Sequence, residues 1–105
     1  MKVKKGASLY GLHPMMQIAN VEAASIWDDF GQELVITAGG EIRSGGFSLH
    51  SNFRACDYRT RYFPNINVTH QVADRLRSAL GGDYDVVVES DHIHCEYDPV
   101  NPKLI

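Results

Sequence analysis

The stretch YDVVVESDHIHCEY, residues 84–97, decides the fold of this chain. Residues 84–89 and 92–97 contain β-branched and aromatic side chains, which favour strands. Ser90 and Asp91 lie between these segments and have the length of a tight hairpin turn. We therefore predict that the two strands pair as an antiparallel hairpin, so the sheet of this protein is at least partly antiparallel.

Two helices are predicted upstream of the hairpin. The first is expected over about residues 21–30, with Asn20 as its N-cap and a glycine directly after its last residue. The second is expected over about residues 68–80, with Asn67 as its N-cap and two glycines after it. Apolar residues at helical spacing should face the core; these are Val21, Ala24, Trp27, Phe30, Val72, Leu76 and Leu80.

Two further segments are predicted to be extended, namely ELVITA at residues 33–38 and residues 55–60. Residues 1–19 are expected to be irregular, because two glycines and Pro14 interrupt them. Two helices, several strands and a hairpin predict an α+β fold. We expect a small, mostly antiparallel sheet with two main helices packed on it.

Length and composition are those of one globular domain spanning residues 1–105. The net charge of −3 offers no electrostatic support for a nucleic-acid partner. No apolar run has the length of a signal peptide or a membrane span, so we expect synthesis in the cytoplasm and no membrane partner. The protein is expected to be a monomer.

The chemistry of the chain is concentrated in two short segments. His92 and His94 are two residues apart on a predicted strand, so they should point to the same face of the sheet. Upstream, His50 and Asp57 lie in the segment SLHSNFRACDYRT, residues 48–60. His50, Asp57 and one of the paired histidines would give two nitrogen ligands and one oxygen ligand. Three protein ligands and one open position are typical of catalytic zinc, which places a Zn²⁺ site on the sheet.

Residues 48–57 and 91–96 resemble the two motifs of the zinc D-Ala-D-Ala peptidases. The first matches S-x-H-x-x-G-x-A-x-D at every fixed position except the glycine, and DHIHCE fits the second motif, D-H-x-H or D-x-x-H-x-E. This family includes D,D-carboxypeptidases, D,D-dipeptidases and phage L-alanyl-D-glutamate endolysins. The ELVITAGG segment before the motifs is similar to the family's I-T-S-G segment, so the resemblance spans roughly residues 20–98.

The resemblance implies a role for each matching residue. His50, Asp57 and His94 would be the zinc ligands. Asp91 would be the general base that takes a proton from the attacking water. His92 would stabilise the developing oxyanion or orient the base.

Three further residues extend or complicate these roles. Glu89 lies three residues before His92, so an E-x-x-H arrangement with Glu89 as base and His92 as ligand competes with Asp91 and His94. The family also places an arginine upstream of the first histidine, where it binds a substrate carboxylate or polarises the carbonyl, and Arg43 is the candidate here. Glu96 is either a partner that orients a ligand or a solvated carboxylate.

One position departs from the family. Phe53 stands where the first motif has glycine, and phenylalanine does not adopt a positive φ cheaply. The loop is therefore reshaped, or the ring forms a wall of the cleft. Cys56 and Cys95 flank the proposed ligands and are expected to point into the core as free thiols.

The resemblance implies a zinc-dependent peptidase of phage or prophage type that hydrolyses a peptide bond in the peptidoglycan stem peptide. Such an enzyme would act on the cell wall after release from the cell or as part of a virion. The alternative is a non-catalytic metal-binding or wall-binding module on the same fold, with Phe53 closing the usual substrate path.

Overall fold

The computed structural model describes residues 1–41 and 53–99. In chain order its elements are β1 (Lys2–Val3), α1 (Pro14–Asp29), β2 (Val35–Ala38), β3 (Ala55–Arg59), α2 (Ile66–Leu80), β4 (Tyr84–Val88) and β5 (His92–Tyr97). The strands form a five-stranded sheet in the order β1-β2-β3-β5-β4. The β1–β2 pair is parallel and the other three pairs are antiparallel. The predicted α+β class, with two helices on a mostly antiparallel sheet, is confirmed.

The C-terminal hairpin forms as the sequence predicts. Strands β4 and β5 pair from Tyr84 opposite Tyr97 to Val88 opposite Ile93. The Glu89 N–H donates to the His92 carbonyl at 2.9 Å, which closes the turn around Ser90 and Asp91. Because β5 also pairs with β3 on its other side, the hairpin occupies one half of the sheet.

Helix α1 begins at Pro14 rather than near residue 21, so the predicted start was wrong. Proline has no N–H to satisfy and a φ suited to a first helical turn, so Pro14 opens the helix instead of interrupting the chain. The His13 Nδ1 accepts from the Met15 N–H at 3.1 Å and caps the helix. Asn20, the predicted cap, is buried inside the helix, and Val21 is 68% exposed instead of facing the core.

Two smaller predictions also needed correction. Strand β1 falls within a stretch that was expected to be irregular, and its two residues are too short to produce a readable alternation. Helix α2 is capped by Asn65, whose side chain accepts from the Val68 N–H at 3.0 Å, rather than by Asn67. Gly81 ends α2 with a φ of 83°, as predicted. Within residues 1–41 and 53–99, no helix has both the length and the apolarity to cross a bilayer.

Both helices pack on the same side of the sheet, α2 against β4 and against α1, which also contacts β5. The largest buried side chains there include Trp27 and Tyr58, both fully buried. Their polar atoms have partners: the Tyr58 hydroxyl donates to the Asn20 side-chain oxygen at 2.6 Å, and the Trp27 indole N–H donates to the Arg59 carbonyl at 3.0 Å. Burial without these partners would cost about 1–3 kcal/mol per group.

The two cysteines face this core, as expected from the sequence. Cys56 and Cys95 are directly opposite each other on β3 and β5, and both are buried and free. Burial is the main cause that raises the pKa of each thiol to about 12. Both thiols therefore stay protonated near neutral pH, and they lie on the sheet face opposite the predicted metal ligands.

Candidate metal centre

Strand β5 separates its side chains between the two faces of the sheet. Ile93 and Cys95 are buried toward the helices, whereas His92, His94 and Glu96 are half-buried on the opposite face, called the open face below. The predicted same-face placement of the two histidines is confirmed. The strand period of two residues is sufficient to produce this separation.

Asp57 of β3 and His94 of β5 are neighbours on the open face. They are directly opposite each other in the antiparallel pairing of the two strands. The His94 Nδ1 lies 2.9 Å from the Asp57 Oδ1, and the two side chains are only 18% and 13% exposed. Residues from the two motifs, 37 positions apart in the chain, therefore form one contact.

The Asp57–His94 pair has the ligand types of a zinc site, and its spacing is that of a hydrogen bond. Imidazole nitrogen and carboxylate oxygen are both common zinc ligands. Two ligand atoms at about 2.0–2.1 Å from a tetrahedral ion lie about 3.3–3.4 Å apart. The distance between the His94 Nδ1 and the Asp57 Oδ1 is 2.9 Å, the length of a direct hydrogen bond, so the two atoms would have to move apart by a few tenths of an ångström to share an ion.

A second carboxylate holds the other side of the His94 ring. The His94 Nε2 lies 2.8 Å from the Glu96 Oε1. The hydrogen bond to Asp57 is the largest cause of a raised pKa for the His94 imidazole; burial opposes this effect, and Glu96 adds to it. The two carboxylates thus stabilise a positive charge on or beside the ring. A metal ion at Nδ1 would leave the Nε2–H to donate to Glu96, which would fix the tautomer.

His92 lies between the hairpin turn and Asp57. Its Nδ1 lies 2.7 Å from the Asp91 Oδ1, and its Nε2 lies 3.7 Å from the Asp57 Oδ2. The Glu89 Oε1 is 3.8 Å from the same Nε2. The hydrogen bond from His92 is the largest cause of the lowered pKa of Asp91, which keeps this carboxylate ionised. Both candidate bases therefore contact His92, and both histidines approach Asp57.

The structure brings most of the predicted site residues together. Asp57, His92 and His94 share the open face, and Asp91 and Glu89 flank the turn beside them. His50, the third predicted ligand, and Arg43, the predicted substrate arginine, lie outside the described residues. His13 caps helix α1 and His70 is exposed, so neither belongs to the site.

A carboxylate cluster that could hold a metal ion lies further along the hairpin. Asp85, Glu96 and Asp98 each offer an oxygen within 4.8 Å of the others, and all three are half-buried. The sequence patterns above did not predict this carboxylate cluster. The signal was present, because a two-residue turn at Ser90 and Asp91 places Asp85 opposite Glu96. Glu96 therefore belongs to this cluster and also contacts His94.

Phe53 retains the left-handed backbone that a glycine would adopt easily. Its φ is 64°, and it is the one non-glycine residue with a positive φ among residues 1–41 and 53–99. The His13 N–H donates to its carbonyl at 2.8 Å. The ring packs over two glycines: a Cβ added to Gly40 would lie 3.0 Å from the Phe53 Cδ1, and one added to Gly11 would lie 3.5 Å from it. The ring thus occupies space that these glycines leave open.

We expect Phe53→Gly to be more stable than Phe53→Ala by about 1 kcal/mol, because both variants lose the ring but only alanine keeps the left-handed strain. Urea unfolding followed by circular dichroism measures the difference. Alanine in place of the exposed Val21 serves as a control with a small effect. An alanine variant as stable as the glycine variant would contradict the observed backbone conformation.

No protein-family model, curated protein or solved structure matches this chain.

Proposed function

We propose that this protein is a zinc-dependent peptidase that hydrolyses a peptide bond in the peptidoglycan stem peptide. One observation carries the proposal. Asp57 and His94 belong to the two separate segments that resemble the family's motifs. They lie on adjacent strands, and the His94 Nδ1 is 2.9 Å from the Asp57 Oδ1. The ligand types and the low exposure of both side chains support a metal role for the pair.

In this proposal His50, Asp57 and His94 would hold the zinc ion, which would leave one position open for water or substrate. When bound, zinc supplies a Lewis acid that polarises the scissile carbonyl and lowers the pKa of water. Glu96 holds His94 through Nε2, so that Nδ1 faces Asp57. Such partners of a ligand fix its orientation and raise its affinity for the metal.

Proton transfer is assigned to the hairpin turn. Asp91 is ionised, so its carboxylate can accept a proton from the attacking water and deliver it to the leaving amine. His92 positions Asp91 through the 2.7 Å contact of its Nδ1, and its Nε2, which lies 3.7 Å from the Asp57 Oδ2, would donate a hydrogen bond to a developing oxyanion only when both ring nitrogens are protonated. Glu89 is the alternative base, because it reaches the same His92 nitrogen at 3.8 Å.

The substrate class and the place of action rest on the resemblance. Peptidoglycan stem peptide is the proposed substrate, and the proposed setting is the cell wall, reached after release or as part of a virion. A non-catalytic module remains the second candidate, because Phe53 occupies the position where the motif has glycine. In that case zinc would bind, but purified peptidoglycan would not be cleaved.

The first test is equilibrium zinc binding. We expect the purified, metal-depleted protein to bind about one zinc ion per chain in calorimetry, because three protein ligands and one open position form a complete site. Elemental analysis of the dialysed complex checks the stoichiometry. A folded protein that binds no zinc would contradict both the peptidase and the metal-binding module.

A further inference from the structure

Cys56 and Cys95 occupy directly opposite positions on β3 and β5. Both residues belong to the core on the helix-covered side of the sheet, and both are completely buried. They are the two cysteines of the sequence, and both are free thiols. The proposed peptidase reaction uses neither of them. The chemistry open to two thiols that face each other across a strand pair is oxidation to a disulfide.

The pairing of β3 with β5 determines how far apart the two cysteines lie. The Thr60 N–H donates to the carbonyl of Asp91 at 3.1 Å, so this opposed pair is a hydrogen-bonded one. Such pairs alternate with non-hydrogen-bonded pairs along an antiparallel ladder, and Cys56 lies an even number of positions before Thr60. The Cys56 and Cys95 α-carbons are therefore about 5.5 Å apart. Disulfide-bonded cysteines have α-carbons about 4.4–6.8 Å apart, so this pair can be bridged without a change of register.

The core around the two thiols restricts the access of an oxidant. Tyr58 follows Cys56 by two residues and shares its face of β3. The Tyr58 hydroxyl donates to the side-chain oxygen of Asn20, a buried residue of α1, at 2.6 Å. Helix α1 also contacts β5, so it covers the part of the sheet that holds the thiols. An oxidant reaches them only when this part of the core opens locally.

We propose that Cys56 and Cys95 form a reversible disulfide across β3 and β5 when the protein meets a disulfide oxidant such as oxidised glutathione. The sulfur of one cysteine attacks the oxidant, forms a mixed disulfide with one glutathione and releases the other as a thiol. The sulfur of the second cysteine then attacks the mixed disulfide, forms the cross-strand bond and releases the second glutathione thiol. The protons of both cysteine thiols end on glutathione, so one oxidant is reduced to two thiols for each disulfide formed.

The disulfide would fasten the two strands that carry Asp57 and His94. That pair is next to the cysteine pair in the ladder, on the opposite face of the sheet. The bond would also close a chain loop that contains α2 and β4. A closed loop of this kind restricts the unfolded chain, so the oxidised protein should unfold at a higher temperature than the reduced protein. Reducing surroundings would regenerate the thiols, which makes the fastening a redox-sensitive device.

Oxidation of the wild-type protein tests the inference. Freshly reduced protein is incubated with oxidised glutathione, and the remaining thiols are alkylated before mass spectrometry. We expect single chains that have lost two hydrogens and carry no alkyl group, with Cys56 and Cys95 in one linked pair of peptides. The reaction should be faster in urea below the unfolding transition, because local opening limits it. The midpoint of thermal unfolding should rise by about 10 °C or more when the bond forms.

Cys56→Ala and Cys95→Ala are the matched controls. Each should accumulate a mixed disulfide with glutathione, because no second thiol resolves it. Wild-type protein that keeps both thiols free even in urea, stops at glutathione adducts or forms disulfides only between chains would overturn the inference. An oxidised protein that unfolds at no higher temperature than the reduced one would overturn it too. If the disulfide forms in a protein that binds no zinc, the proposed peptidase fails and this inference stands.

Discussion

Asp91→Asn should lose cleavage of peptidoglycan stem peptides by about 10²–10⁴-fold in kcat while it retains zinc, because a positioned base contributes a factor of this size. Asparagine keeps the size of the side chain and can still contact the His92 Nδ1, but it cannot accept the proton. The change lies on an exposed turn, so the free energy of unfolding should be nearly unchanged. Product release is followed by chromatography, and zinc content by elemental analysis.

Glu89→Gln is the matched control for this prediction. Glu89 lies on the other side of the same turn and approaches the same histidine, at 3.8 Å from its Nε2. We expect this variant to keep most of the activity. If Glu89→Gln abolishes cleavage and Asp91→Asn does not, the base is Glu89, and the arrangement with His92 as a ligand replaces the one with His94.

Asp57→Asn should weaken zinc binding by more than about 100-fold. Loss of a residue that only hydrogen-bonds to a ligand typically lowers metal affinity by about 10- to 100-fold, and loss of a ligand itself should lower it further. The reason is that the amide does not supply the charge that the carboxylate brings to the ion. The fold should survive, because the Asp57 side chain lies on the open face rather than in the helix-covered core. Zinc affinity is measured by competition with a chelator of known strength.

Asp85→Asn is the matched control for zinc binding. It removes the same charge from the carboxylate cluster of Asp85, Glu96 and Asp98, on the same face of the sheet. We expect the zinc affinity of this variant to stay within a few fold of the wild-type value. If Asp85→Asn releases zinc and Asp57→Asn does not, the ion sits in the carboxylate cluster and the proposed peptidase centre is wrong.

Local patterns predicted the hairpin and the faces of residues 92–96 in its second strand. Alternation is strong in HIHCEY, and a two-residue turn at Ser90 and Asp91 leaves one pairing register. The start of α1 was missed for a local reason. Pro14 was interpreted as a break, although proline is favoured at the first helical position, and the cap is His13 rather than a more usual capping residue.

The contents of the site were partly predictable as well. The family resemblance singled out Asp57 and His94, but only the pairing of β3 with β5 places them 2.9 Å apart. Strand order depends on contacts between distant segments, which one-dimensional patterns do not contain. Whether His50 completes the metal site stays a prediction.

The most direct test of the central claim is digestion of purified peptidoglycan by the wild-type protein, with added zinc and with a chelator. We predict new pairs of stem-peptide fragments in the zinc sample, in which mass spectrometry finds the new carboxyl end on one fragment and the new amine end on the other. The chelated sample should show none, and zinc should restore them. A folded, zinc-loaded protein that releases no fragments would contradict the account.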